Sequence, residues 1–206
     1  MTEEKDLLRD IPLDGRGVDR KVLEEVISLA VEIAREGREG RKIGTMFVVG
    51  DAEETMKHST GMILDPLWGH PKEVKYIGDP NLRETVKELA QLDGAFIVDQ
   101  DGTVLSAGRY INANSEGLHI PLGLGARHMA AASITRDTNA IAIVVSESGV
   151  VRVFDDAEII AEIVPELWLM RHAGMHVRAP YSVHANDEMT VASTDRPRLE
   201  KEQDRA

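Results

Sequence analysis

The chain has 206 residues, 42% of them apolar and 29% charged, with a formal net charge of −12 and no cysteine. The length suits one sizeable α/β domain, and the lack of cysteine excludes a disulfide framework, a thiolate metal site and a cysteine nucleophile. The acidic balance, with aromatics at only 4%, disfavours nucleic acid as a partner, because it repels a phosphate backbone and offers no stacking platform.

Of the 24 basic residues 8 are lysine and 16 arginine. This acid-rich, lysine-poor balance fits a surface hydrated by carboxylates at high salt as well as it fits an ordinary acidic protein. No run of about 18 apolar residues suggests a membrane span. The start MTEEKDLLRD has no basic n-region followed by an apolar h-region, so a cytoplasmic location is expected.

Residues 1–20 read as a polar lead-in. From Lys21 to Glu36 the apolar positions Val22, Leu23, Val26, Ile27, Ala30, Ile33 and Ala34 share one helical face. GREGRK (37–42) stops that helix, and IGTMFVVG (43–50) reads as a buried strand. Ile63 and Leu64 are read as the start of a short apolar strand, before a loop marked by Pro66, Trp68, Gly69 and Pro71. Asp79-Pro80 supplies an N-cap and a first-turn proline for a helix carrying Leu82, Val86, Leu89 and Ala90.

AFIVD (95–99) and TVLSAGRY (103–110) make a hairpin around Gln100-Asp101-Gly102. A loop over about 112–122 leads to GLGARH (123–128) and an alanine-rich helix. IAIVVS (141–146), VVRVF (150–154) and Glu158–Val164 read as strands, and Pro165 opens a last helix through Leu167, Trp168 and Met170. The polar stretch 185–206 reads as a tail. Strands interleaved with helices, with hairpins that force antiparallel pairing, predict one α/β domain over 21–184 with a central mixed β-sheet flanked by helices.

Three places carry chemistry. In GLGARH the glycines let a backbone approach a ligand, the helix from Ala126 offers free N–H groups, and Arg127 and His128 add donors to an anion. No Gly-Lys-Ser/Thr follows, and His128 stands where a dinucleotide fingerprint needs its third glycine. The same residues also make an ordinary glycine-rich loop with a surface arginine. Asp93-Gly94, between helix and strand, suits a divalent cation that a nucleotide also ligates, or is a plain turn. Ser146-Glu147 leaves a buried strand in the same way. His172 and His176 are four apart with Gly174 between them and read as structural or surface residues.

Together, Asp93-Gly94-Ala95, Gly125-Ala126-Arg127-His128-Met129 and Ser146-Glu147, at their spacing over about 75–165, resemble the signatures of the diadenylate cyclase catalytic domain. IGTMFVVGD (43–51) and the helix before it look most like its archaeal branch. The resemblance implies a metal-dependent nucleotidyltransferase that condenses two ATP into cyclic di-AMP and two pyrophosphates. It also implies that two subunits meet face to face, each holding one ATP. Asp93 and Glu147 would bind Mg²⁺ or Mn²⁺, and Asp93 would help to deprotonate the 3′-hydroxyl. Gly94 and Ala95 would let the nucleotide lie against the strand, and Tyr110 and Ile111 would pack on adenine. Gly125, Ala126, Arg127 and His128 would hold phosphates, with Ser146 and Glu147 completing the phosphate and metal site.

Two positions depart from the bacterial pattern: Ala126 replaces a threonine and Met129 an arginine. A missing charged donor costs about 1.5–3 kcal/mol in such a site unless Arg109, Arg136 or Arg152 replaces it. The alternatives are a catalytically inactive sensor of the same fold that binds ATP or a cyclic dinucleotide, and an unrelated ATP hydrolase.

Overall fold

The first helix, α1 (Arg20–Glu36), starts where the Asp19 carboxylate accepts the Lys21 N–H at 2.8 Å. It ends at Gly37, whose φ of 58° suits glycine and whose N–H donates to the Ile33 carbonyl at 2.9 Å. The apolar face named from the sequence is buried, with Leu29 added. The computed structural model describes residues 16–165, 181–185 and 190–194.

After α1 come β1 (Thr45–Val49), a short helix α2 (Ala52–Lys57), β2 (Ser59–Gly61) and a 3₁₀ turn at Lys72–Val74. The chain continues through α3 (Pro80–Leu89), β3 (Ala95–Val98), β4 (Val104–Ile111), α4 (Ala126–Asp137), β5 (Ile141–Val145), β6 (Val151–Asp155) and β7 (Glu158–Ile163). The seven strands form one mixed sheet in the order β2-β4-β3-β1-β5-β6-β7. β1 runs parallel to β3, with Met46 opposite Ala95, and antiparallel to β5, with Thr45 opposite Val145. All five β1 residues are buried, as a central strand covered on both faces requires.

Alternate residues feed two cores. Phe47 and Phe96, stacked at 5.0 Å between ring centres, join the buried face of α1 and Leu82 and Val86 of α3. Met46, Val48, Ile97, Val144 and Phe154 pack on the other face with Ala131, Ala132 and Ile134 of α4. The mixed sheet flanked by helices is the architecture read from the sequence. α1 and α3 are clamped together by charge. Arg83 donates to the Glu25 carbonyl at 3.0 Å and to Glu32 at 2.6 Å, and Lys87 reaches Glu32, Glu36 and Glu84.

The stretch around Ile63 and Leu64 departs from expectation. The strand lies earlier, at Ser59–Gly61, and Ile63 and Leu64 are exposed in a loop. The cause is Asp65, which accepts from Ser106 Oγ at 2.6 Å and the Ala107 N–H at 2.9 Å and so pins the loop to β4 instead of letting it extend the sheet. α2 went unread because AEETMK buries only Thr55 and shows no apolar stripe.

Contacts divide the chain into two units, Met1–Pro165 and Glu166–Ala206. In the second, β8 (Tyr181–Ala185) and β9 (Thr190–Thr194) form an antiparallel hairpin, so a strand lies within the stretch read as tail. The expected helix through Leu167, Trp168 and Met170, and His172 and His176, lie outside the described residues.

Candidate active site

The strand directions bring four chain segments to one end of the sheet. Because β1 and β3 are parallel and β4 and β5 run against them, the amino ends of β1 and β3 lie beside the carboxyl ends of β4 and β5. There a cavity of about 570 Å³ opens. Its walls include Asp93, Gly94 and Ala95 entering β3, Tyr110 and Ile111 leaving β4, Gly125, Ala126, Arg127 and His128 at the start of α4, and Ser146 and Glu147 leaving β5. Every residue to which the family resemblance gave a role therefore lines one hollow.

Gly94 has φ 104°, and a Cβ there would lie 3.0 Å from the Arg109 backbone nitrogen and 3.2 Å from Gly108 Cα. The backbone of β3 can approach β4 this closely only with glycine. The α4 N-cap, Gly125, has no side chain to cap the helix; the His128 and Met129 N–H groups donate to its carbonyl, and those of Ala126 and Arg127, with the helix dipole behind them, are left to the cavity. A Cβ at Gly125 would meet nothing within 4 Å, so the space over that turn stays open.

Arg127 lies between the two carboxylates. One terminal nitrogen is 3.6 Å from Asp93 Oδ1 and the other 3.8 Å from Glu147 Oε1. Both carboxylates stand on the rim, their side chains 79% and 75% exposed. No cluster of three or more metal-ligating side chains occurs among the described residues. Each of the two accessible carboxylates has the chemistry to ligate a divalent ion whose other ligands are phosphate oxygens and water, as Mg²⁺ prefers. Ser146 is tied into its own turn, its Oγ accepting from Ser148 Oγ at 3.0 Å and its N–H donating to the Val150 carbonyl.

His128 is buried, tilted against Phe154, with its Nε2 3.3 Å from Arg152 Nη1. Burial holds its pKa below the ordinary histidine value, and the charges of Arg152 and Arg127 act in the same sense against an opposing Glu162. These influences favour the neutral ring.

Of the three candidate replacements for the missing guanidinium, Arg109 lines the cavity but donates to Ser59 and the Met56 carbonyl. Arg136 holds the 112–125 loop through the carbonyls of Asn114 and Glu116. Arg152 alone of the three reaches a motif side chain. Sequence reasoning also missed Gly44, where a Cβ would lie 2.9 Å from Arg127 Nη1 and 3.1 Å from Glu147 Cγ. The two-residue alternation from Met46, a cavity residue, was the available signal.

A family model described as the DisA bacterial checkpoint controller nucleotide-binding domain, or DAC, matches residues 32–159. A diadenylate cyclase of Methanocaldococcus jannaschii is 50% identical over 147 residues, covering 71% of this chain and 46% of that protein. A diadenylate cyclase of Haloferax volcanii is 44% identical over 151 residues, covering 73% and 55%. The chain thus spans about half the length of the curated relatives it matches. A crystal structure of DacA from Staphylococcus aureus aligns with 75% of this chain and 97% of its own at 22% identity and a TM-score of 0.46. With its signature residues gathered at one cavity and the family model spanning most of the α/β unit, the chain belongs to the DAC family of DisA-type nucleotide-binding domains.

Proposed function

We propose that this chain is a diadenylate cyclase, joining two ATP into cyclic di-AMP with release of two pyrophosphates. The observation that carries the reading is the single cavity to which Asp93, Arg127, His128, Ser146, Glu147 and the open α4 N-terminus all contribute. Cationic and N–H donors on one wall and two carboxylates on the rim match a polyphosphate with an accompanying cation. The curated relatives carry the same activity in their names.

Phosphoryl transfer needs positioning and charge neutralisation more than covalent help from the protein. Arg127, His128 and the first-turn N–H groups bind and orient the triphosphate, while Tyr110 and Ile111 flank the base. Asp93 and Glu147 would hold Mg²⁺ or Mn²⁺, which when bound supplies neutralisation of phosphate charge. The ribose 3′-oxygen attacks the α-phosphorus of the other nucleotide, and the bond from that phosphorus to pyrophosphate breaks. The hydroxyl proton passes to Asp93 or to solvent.

One cavity binds one reactant, so the second must arrive on another subunit meeting the first face to face. The exposed rim supports this, because a closed site would have no side left for the second nucleotide. Holding both reactants in line is worth about 7–11 kcal/mol, and a monomer is expected to be inactive.

The test is incubation with ATP and Mn²⁺ or Mg²⁺ at low and high salt, with products identified by chromatography and mass. Cyclic di-AMP with pyrophosphate supports the proposal. Unreacted ATP from dimeric protein points to a sensor, and ADP with inorganic phosphate to a hydrolase; either refutes it.

A further inference from the structure

We propose that Arg152, held by Glu162, is a positioning residue that selects which nitrogen of His128 carries hydrogen, leaving Nδ1–H as the donor this ring offers a phosphate. The inference deepens the cyclase reading, since it assigns a supporting partner to a residue of that same site.

A guanidinium has only donors, so the 3.3 Å contact between Arg152 Nη1 and His128 Nε2 requires Nε2 to accept. A neutral imidazole that accepts through Nε2 carries its hydrogen on Nδ1. That atom is buried and has no hydrogen-bond partner among the described residues. A buried donor left without a partner is costly, and because His128 lines the cavity a ligand oxygen can satisfy Nδ1–H once the first turn of α4 shifts to uncover it.

Arg152 is itself constrained. Its Nε lies 2.5 Å from Glu162 Oε1, and its side chain is only 14% exposed. β6 and β7 are adjacent, and Arg152 is directly opposite Glu162 in their register. Glu162 therefore anchors one edge of the guanidinium while another edge meets His128. The charged groups around the ring are Arg127 on its own helix, Arg152 on β6 and Glu162 on β7. Arg152 thus supports the motif through His128.

The test uses the whole chain, labelled with ¹⁵N-histidine and free of ligand, in long-range ¹⁵N–¹H correlation spectra at neutral pH. His128→Asn identifies the signal among seven histidines. The wild type is expected to show protonated Nδ1 and bare Nε2. Arg152→Met is expected to lose that pattern, in favour of Nε2–H or an average of the two forms, and to weaken ATP binding about tenfold. Arg152→Lys, which keeps a charged donor, restores both in part. Protonated Nε2 in the wild type, or an unchanged pattern in Arg152→Met, overturns the proposal.

Should Arg152→Met fail to fold, Glu162→Gln at the more exposed end of the pair loosens the anchor and is expected to shift the same signals partway; unchanged signals there overturn it equally. The spectra need no turnover. A wild-type pattern as expected, without any cyclic dinucleotide produced, would count against the cyclase reading alone.

Discussion

Replacing Gly44 by alanine separates site geometry from stability. The new methyl would lie 2.9 Å from Arg127 Nη1, 3.1 Å from Glu147 Cγ and 3.4 Å from Glu147 Oε1. All three are side-chain atoms on the rim, free to swing away, so the backbone need not move. The ion pairs lost are between exposed groups and contribute at most about 1 kcal/mol each to folding. Alanine also restricts the unfolded chain, which returns about 0.4–1 kcal/mol. These nearly cancel, leaving Tm within about 2–4 °C of wild type for a chain of this size. Function should not escape, because a displaced Arg127 loses a charge-assisted contact to phosphate worth about 1.5–3 kcal/mol, or roughly 10- to 150-fold in kcat/KM.

Gly94→Ala is the contrast. Its methyl would meet backbone of β4, at a φ of 104°, and each of strain and overpacking costs about 1–3 kcal/mol. Melting curves and ATP turnover, measured on both variants, decide the matter. Unchanged kcat/KM in Gly44→Ala, or a fall in its Tm that accounts for its lost activity, would refute the argument.

Asp93→Asn should abolish turnover while leaving the melting temperature unchanged, since the carboxylate stands on the rim without a buried partner; a fully active variant would remove Asp93 from the chemistry. Glu32→Gln probes the α1–α3 clamp. Burial raises the Glu32 pKa, but hydrogen bonds from Lys87 and Arg83 outweigh it and hold the carboxyl below its ordinary 4.5. The resulting stabilisation is present above pH 4.5 and is lost as pH falls through the lower folded value. The Tm deficit of Glu32→Gln should therefore be full at pH 7 and shrink on acidification, and a deficit that does not depend on pH would contradict the assignment. His128 acts in the same direction. Its depressed pKa makes protonation oppose folding, so stability is full above the ordinary value of 6.5 and falls as pH drops toward the folded value; thermal melts between pH 7 and pH 5 should show a shallower decline in His128→Asn.

What could be read locally was legible. Asp79-Pro80 capped a helix, Gln100-Asp101-Gly102 turned a hairpin, and GLGARH opened a helix at an anion-ready end. The motif residues needed no structure to be grouped, because their spacing already resembled a family. What stayed hidden depends on pairing between distant segments. Periodicity gives β1 as a buried strand but says nothing of its place between β3 and β5, and only that placement puts Gly44 against Arg127. Ile63 looked like strand because it is apolar, and a tether from Asp65 to β4 decided otherwise. Arg152 was one of three equal arginines until the β6–β7 register set it between Glu162 and His128.

The same placement of β1 has a consequence for how the protein is made. β1 pairs on one side with a strand as distant in the chain as β5, Thr45 lying opposite Val145, and such non-local closures are slow steps in folding. Until β5 has left the ribosome, the apolar run Thr45–Val49 is an uncovered edge, inviting pairing with the wrong chain. The nucleotide cavity is equally late, since Ser146 and Glu147 follow that strand directly. A nascent chain therefore holds at most an incomplete ATP site, and nucleotide stabilises most the molecules whose sheet has already closed.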